Sequence, residues 1–301
     1  MKVEKTENTA VKQLLQKVLK TDDYSAISRM GGLTNRTYKV TVDGEDYVVR
    51  IPGEGTEELI NRRDEMVSTR LACDLGVDAE LLYFGDDGSK VTRYIKDAVT
   101  MSSETLKDDE NIKRMADIFK KVHTSGVNTG VPFEVFEMAS GYEKIISDKN
   151  VPMYDDYNEM KKHVMDVKTE IDALICAEKV PCHNDPLCEN WVLGADRMYL
   201  IDWEYAGMND GMWDVADVSI EAGFDGECDE KLLTSYLGHT PDEKDKKHFL
   251  ASKIYVDYLW TLWAKTRVPY DGQPMEDWAT ERYTRLKGFI KEYMSIKGGN
   301  K

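Results

Sequence analysis

The sequence lacks long apolar runs, and it has fewer basic than acidic residues. Its 301 residues include 40 Lys and Arg against 56 Asp and Glu, a formal net charge of -16. This charge would repel a nucleic-acid backbone, and no Lys/Arg block offsets it, so nucleic acid is excluded as a partner. No segment approaches the roughly 18 apolar residues of a membrane span. The first 20 residues also lack the apolar core of a signal peptide, so we expect a soluble, cytoplasmic protein without membrane insertion.

Cysteine is scarce and scattered. The five cysteines form no close C-x-x-C pair, which is typical of reduced thiols in a reducing compartment. A zinc site built from Cys182, His183 and Cys188 would have adjacent ligands and no fourth partner, which argues against it.

The first third of the chain has the pattern of a small sheet. A polar amphipathic helix is predicted near residues 8–20, followed by strands in "YSAISRMGGLTNRTYKVTVDGEDYVVRIPG" with turns at Gly31-Gly32 and Asp43-Gly44. A helix is predicted in "GTEELINRRDEMVSTRLACDLG", and a hairpin around Asp87-Gly88.

Helical periodicity dominates beyond Ile95. Helices are predicted near residues 108–125, 156–178, 229–238, 243–267 and 276–296, with short strands around the segment "CHNDPLCENWVLGADRMYLIDWE". We therefore predict an α+β, two-lobed protein-kinase-like fold. Residues 1–95 would form a nucleotide-binding lobe with an antiparallel sheet plus a helix, and residues 96–301 a mostly helical catalytic and acceptor-binding lobe.

A compact set of acids and an amide points to phosphoryl transfer. Asp185 precedes Asn190 by five residues, and Asp202 ends the apolar strand "MYLI". Phosphoryl transfer from ATP needs a carboxylate that orients and deprotonates the attacking hydroxyl, and oxygen ligands for magnesium. Asp185 suits the first role, Asn190 and Asp202 the second, and Glu204 is a further candidate metal or water ligand.

The chain resembles the choline/ethanolamine kinase family, in particular its bacterial choline kinases, within the fold shared with aminoglycoside phosphotransferases. The resemblance is carried by "HNDPLCEN" with "LIDWEYAGMNDGMWDVAD", and also by "GGLTNRTYKV", "NRRDE", "KKVHTSG" and "YLWTLWAK". It implies that Asp185 is the catalytic base, that His183 shapes its loop, and that Asp214 braces this loop from below. A role for Asp214 as a helix N-cap would be compatible.

At the nucleotide end, the resemblance makes Arg50 the cation on the phosphates and Glu65 the helix carboxylate that holds it. The turn before Arg36 could offer backbone N–H groups to phosphate oxygens. Backbone groups around Tyr94 would read the purine edge. The expected nucleotide-binding residues are Leu33, Thr34, Asn35, Arg50, Glu65, Arg93, Tyr94 and Ile95.

At the acceptor end, the resemblance implies an aromatic box for a quaternary ammonium, which relies on ring faces and a carboxylate because it cannot donate a hydrogen bond. Trp260 and Trp263 are three apart and share one helix face. The expected acceptor residues are Tyr205, Trp260, Trp263 and Trp278, with Glu221 as the carboxylate.

The leading hypothesis is an ATP- and magnesium-dependent choline kinase. Ethanolamine, an aminoglycoside, a methylthio-sugar or homoserine remain alternative acceptors on the same fold, although "YLWTLW" argues against the polycationic aminoglycosides. A catalytically silent binding module is the alternative from another class, but no base or metal ligand is missing. The sequence does not indicate the oligomeric state.

Overall fold

The computed structural model describes residues 5–30, 35–53 and 61–298. The chain divides into two compact units, Met1–Ser102 with Cys188–Gly207, and Ser103–Leu187 with Met208–Lys301. The prediction placed a single boundary between residues 95 and 96, whereas here the chain passes between the units three times. Pairing of Val99–Thr100 with Val192–Leu193 ties the returning segment to the first unit.

Elements are numbered in chain order across both units. The first unit contains α1 (Lys5–Leu19), β1 (Ala26–Arg29), β2 (Arg36–Val42), β3 (Glu45–Ile51), α2 (Arg62–Asp74), β4 (Leu81–Phe84), β5 (Lys90–Arg93), β6 (Val99–Thr100), β8 (Trp191–Leu193) and β9 (Met198–Leu200). The second contains α3 (Ser103–Leu106), α4 (Asp109–His123), α5 (Val135–Asp148), α6 (Tyr157–Leu174), β7 (Lys179–Cys182), β10 (from Gly207 at the boundary to Asp210), α7 (Met212–Glu221), α8 (Gly226–Leu237), α9 (Glu243–Asp271) and α10 (Gln273–Gly298).

The first unit is built on an antiparallel five-stranded sheet in the order β1-β2-β3-β5-β4. β2 and β3 form the hairpin predicted at Asp43-Gly44, where both residues have positive φ, 51° and 81°. Two positive φ angles match the twist of a tight hairpin, which Asp-Gly favours. α1 covers the sheet with Val11 and Leu15, which pack on Tyr38 and other buried residues of β2 and β3. A second sheet, β6-β8-β9, carries the segment that returns to this unit.

The second unit is assembled around α9, a 29-residue helix. Its start is fixed by a capping box, in which Asp242 accepts from the Asp245 amide at 2.9 Å and Asp245 accepts from the Asp242 amide at 3.0 Å. α9 packs against α5, α6, α7 and α10. Its middle is buried almost all round, because it has neighbours on most faces.

The kinase-like mixture of an antiparallel sheet with a large helical part is confirmed, and most predicted helices are present within a few residues. α5 was not predicted, because Ser140 and Gly141 weaken its helical pattern. α7 was not predicted as a separate helix either. Nine of its ten residues are buried, so it lacks the solvent-exposed face of a surface helix. The Gly31-Gly32 turn and the predicted start of α2 lie outside the described residues.

In the part of the chain that the structure describes, no helix combines the length and the apolar character needed to cross a membrane.

We expect Ile254→Ala to lower the free energy of unfolding by about 2–5 kcal/mol, because it opens a cavity in the middle of α9. Ile254 is fully buried. Lys244→Ala, at an exposed position of the same helix, should change stability by about 0.5 kcal/mol or less. Urea denaturation of the three proteins gives both values. A loss below about 1 kcal/mol for Ile254→Ala would mean that α9 is not the packing centre of this unit.

Candidate active site

In the first unit, Arg50 on β3 is bound to Glu65 on α2. The Arg50 Nη2 to Glu65 Oε1 distance is 2.5 Å, and the same guanidinium donates to the Gly88 carbonyl at 2.9 Å. Both side chains are buried, with exposed fractions of 6% and 0%. The pair is therefore a buried ion pair with a fixed guanidinium rather than a surface salt bridge.

A second arginine, Arg62, extends this pair. Its Nη1 atom donates to Glu65 Oε2 at 2.7 Å and lies 3.8 Å from Glu204 Oε2. Asn35 Nδ2 approaches the same Glu204 oxygen at 3.5 Å. Burial raises the pKa of Glu204 to about 7, with the negative charges of Asp202 and Glu65 adding to the shift and Arg50 and Arg62 opposing it. Glu204 is thus poised between its charged and neutral forms near neutral pH.

Two predicted metal ligands, Asp202 and Glu204, follow β9, and a backbone hydrogen bond links this segment to the third, Asn190. The Ile201 amide donates to the Asn190 carbonyl at 2.9 Å, and the Trp203 indole donates to the Leu200 carbonyl at 2.9 Å. Asp202 has a φ of 70°, and its Oδ1 atom lies 3.7 Å from Arg50 Nη1. The side chains of Asn190, Asp202 and Glu204 offer only oxygen ligands, the donor set that suits magnesium. A bound divalent cation would also favour the charged form of Glu204.

The expected purine-reading segment follows β5. The Arg93 amide donates to the Glu80 carbonyl at 2.9 Å, and the Tyr94 amide donates to the Asp46 carbonyl at 3.0 Å. These two N–H groups already donate hydrogen bonds within the first unit. A purine contact through a backbone N–H in this segment therefore depends on Ile95. Leu33 and Thr34, expected at the phosphates, lie outside the described residues.

In the second unit, Asp214 holds the loop that carries Asp185. Its carboxylate accepts from the His183 amide at 2.8 Å and from the Asn184 amide at 2.7 Å. Asp214 is the third residue of α7, and Gly211 occupies the N-cap. The N-cap role suggested for Asp214 is therefore wrong, because its side chain turns away from its own helix to cap the loop. The bracing role was predicted, and these two bonds provide it.

His183 and Asn184 complete the loop's geometry. His183 is fully buried, and its Nδ1 atom accepts from the Asp185 amide at 3.3 Å. Asn184 has a φ of 66°, and its side-chain oxygen accepts from Asn209 Nδ2 at 3.0 Å. The Trp213 indole donates to the Asn184 carbonyl at 3.0 Å. The two residues before Asp185 are thus held in place by hydrogen bonds, while Asp185 itself stays partly exposed.

Behind this loop lies a buried set that the sequence did not reveal. His123 Nε2 is 3.0 Å from Asp214 Oδ2, and His123 Nδ1 is 2.9 Å from the Tyr236 hydroxyl. Cys182 lies within 4.8 Å of His123 and Asp214, but burial and nearby negative charge raise the pKa of its thiol well above the usual range. Since Asp214 already accepts three hydrogen bonds, we interpret the set as a brace for the loop rather than as a metal site.

The three predicted acceptor tryptophans lie in one row in the second unit. The ring centroids of Trp260 and Trp263 are 6.1 Å apart at 89°, and those of Trp263 and Trp278 are 6.1 Å apart at 74°. Trp278 and Glu221 both line an open cavity of about 380 Å³. Tyr205 belongs to the first unit.

The predicted acceptor carboxylate already has a cationic partner. Arg282 donates to Glu221, contacts Asp257 at 3.3 Å, and places its guanidinium 4.1 Å from the centre of the Trp278 ring. Neither Arg282 nor Arg62 was predicted from the sequence. Both lie one turn from a predicted site residue, Trp278 or Glu65, but that spacing is shared by many surface arginines.

The fold defines the class of protein first. A GDP complex of an aminoglycoside 2'-phosphotransferase superposes with a TM-score of 0.70 over 96% of this chain and 99% of its own, at 13% identity. At that identity the likeness shows only the kinase-like phosphotransferase fold.

The family follows from the sequence itself. The model of the choline/ethanolamine kinase family matches residues 27–262, and the chain belongs to that family. It is therefore a kinase, which transfers a phosphoryl group to an alcohol.

Three solved structures cover nearly the whole chain. A choline/ethanolamine kinase family protein from Mesorhizobium loti is 33% identical, with a TM-score of 0.83 over 94% of both chains. The choline kinase LicA from Streptococcus pneumoniae is 30% identical, with a TM-score of 0.82 over 96% of this chain and 100% of its own. A LicA complex with AMP is 28% identical, with a TM-score of 0.77 over 95% and 98%.

We expect the pKa of Glu204 to move in opposite directions in two variants. Arg62→Met removes a positive charge and should raise this pKa further above 7, whereas Asp202→Asn removes a negative charge and should lower it toward the ordinary glutamate range. Carboxyl carbon NMR during a pH titration measures both shifts. Equal shifts in one direction would show that the two charges do not set the ionisation of Glu204.

Proposed function

We propose that this kinase uses ATP and magnesium to phosphorylate the hydroxyl of choline, with phosphocholine and ADP as products. Family membership and the 30% identical choline kinase support choline as the acceptor. The LicA complex with AMP supports an adenine nucleotide as the donor. ATP supplies the phosphoryl group, and choline supplies the attacking oxygen.

The observation that carries the choice of acceptor is the row of Trp260, Trp263 and Trp278. Quaternary ammonium groups bind through ring faces, because they have no N–H to donate. The rings of this row are approximately perpendicular, so neighbouring members offer faces in different directions.

The acceptor hydroxyl loses its proton to Asp185. A carboxylate in this role orients the hydroxyl and takes its proton as the oxygen attacks phosphorus. The bonds from the His183 and Asn184 amides to Asp214 hold the preceding backbone, so Asp185 needs little reorganisation to act.

The nucleotide phosphates are bound by residues of the first unit. Arg50 supplies positive charge at the phosphates, and Glu65 holds its guanidinium in one orientation. Asn190, Asp202 and Glu204 would hold magnesium through their side-chain oxygen atoms. When bound, the ion would supply positive charge against the phosphates.

We expect choline to be the preferred acceptor in a panel with coupled ADP detection. The kcat/KM for choline should exceed that for ethanolamine by roughly tenfold or more, the size of discrimination that a pocket fitted to extra methyl groups provides. Aminoglycosides and homoserine should give rates near background. Equal or inverted values for choline and ethanolamine would contradict the choice of choline.

We expect Asp185→Asn to lower kcat by about 10²–10⁴-fold, because the amide cannot accept the hydroxyl proton. ATP binding, measured by calorimetry, should stay close to that of the parent. Asp196→Asn, in an exposed turn of the first unit, is the matched control and should keep full activity. Turnover of Asp185→Asn within about tenfold of the parent would rule out Asp185 as the base.

A further inference from the structure

The second unit contains a buried cluster of acids and arginines in which charge is not balanced. Arg282 is paired with Glu221, and Arg285 binds Asp257 at 2.7 and 2.8 Å. Each arginine therefore has its own carboxylate. A third acid, Asp217, is left over, so the cluster carries one acid more than it has arginines.

Asp217 is a buried carboxyl without a hydrogen-bond partner. It is 1% exposed, and neither of its oxygens has a partner among the residues that the structure describes. A buried carboxylate in that condition is costly, so the group holds a proton or requires a cation. Consistent with this, burial raises the pKa of Asp217 well above its usual range. The charges of Glu221, Asp185 and Asp214 raise this pKa further, whereas the charge of Arg282 lowers it.

Asp217 lies near two acids that are proposed to act on the acceptor. The negative charges of Glu221, the predicted partner of the acceptor cation, and of Asp185, the proposed base, both raise the pKa of Asp217. Glu221 follows Asp217 by one helical turn on α7, so both acids lie on the same face of that helix. A molecule with a hydroxyl at one end and a cation at the other would interact with all three acids once Asp217 is ionised.

Glu221 is poorly suited to balance that cation alone, because Arg282 already neutralises it and covers one face of Trp278. We propose that Asp217 is the specificity-determining residue that balances the acceptor's positive charge, acting through space rather than by contact. This inference rests on the proposed phosphorylation of an amino alcohol and adds the residue that selects a cationic acceptor over an uncharged one.

The proposal includes one proton. Without acceptor, Asp217 is a neutral carboxyl group; as the cation binds, the O–H bond of that carboxyl breaks and the proton leaves to water, so that one carboxylate faces one cation. Below the raised pKa of Asp217, acceptor affinity should therefore increase with pH. Asp214 and Glu221 on α7, Asp185 on its loop and Arg282 on α10 are the charged groups that set this ionisation.

The test compares choline with its uncharged carbon isostere, 3,3-dimethyl-1-butanol, as acceptors. In Asp217→Asn the ratio of kcat/KM for choline over the isostere should fall by roughly tenfold or more, as expected for the loss of one unit charge several Å away in a medium of effective dielectric near 20. A structural role for Asp217 would lower both values together and leave the ratio unchanged. An unchanged ratio overturns the proposal.

Glu221→Gln is the matched comparison, because it removes the neighbouring carboxylate that Arg282 neutralises. Its ratio should change less than that of Asp217→Asn. If Glu221→Gln lowers the ratio and Asp217→Asn does not, the balancing charge belongs to Glu221. Thermal unfolding and ATP binding of each variant check that it is folded.

A measurement on the unmodified protein covers the case in which Asp217→Asn does not fold. Calorimetry of choline binding across a pH series that begins in the acidic range, in two buffers with different ionisation enthalpies, should show net proton release wherever Asp217 is protonated in the free protein. Binding without proton release at every pH of the series overturns the proposal. If the unmodified protein neither binds nor phosphorylates choline, it is the proposed function that fails, and the Asp217 ratio is then measured with whichever cationic acceptor the panel identifies.

Discussion

The carboxylate of Asp214 is the contact on which the loop that carries Asp185 depends. One buried side chain binds two consecutive loop amides, those of His183 and Asn184, and also His123 from α4. It thereby joins a helix of the core to the loop that carries the proposed base. These bonds link α7, which packs against α9, to the loop that precedes Asp185.

The two units bury charge by similar means. In the first, Glu65 is shared by Arg50 and Arg62, and Glu204 lies at the edge of the pair with a pKa near 7. In the second, Arg282 and Arg285 are matched by Glu221 and Asp257. In both, one acid remains incompletely balanced, Glu204 in the first unit and Asp217 in the second. A bound cation stabilises a buried acid most where no other positive charge balances it. The proposed cations are magnesium for Glu204 and the cationic acceptor for Asp217.

Much of the fold could be predicted because its elements have local signals. Asp43-Gly44 marks a hairpin, Asp242 caps α9, and Gly238 ends α8 with a φ of 78°. The failures occurred where these signals are absent. α7 is buried on nearly every side, and α5 contains residues that weaken a helical pattern. For the candidate site, spacing predicted Asp185, Asn190 and Asp202, and the family resemblance predicted Trp260 and Trp263.

The sequence by itself determined the order of a small sheet followed by a helical part, the acids and amide of the proposed phosphoryl-transfer chemistry, and the family to which they belong. Short segments of sequence are enough to predict these features, since turns, helix caps and the loop around Asp185 each depend on neighbouring residues. Only the tertiary structure decided which charged side chains already have a partner within the protein. Glu221 meets Arg282 across 61 positions of the chain, and His123 meets Asp214 across 91. Such pairings depend on how helices pack, and no local pattern indicates that Glu221 has a partner whereas Asp217, one turn earlier, has none among the described residues.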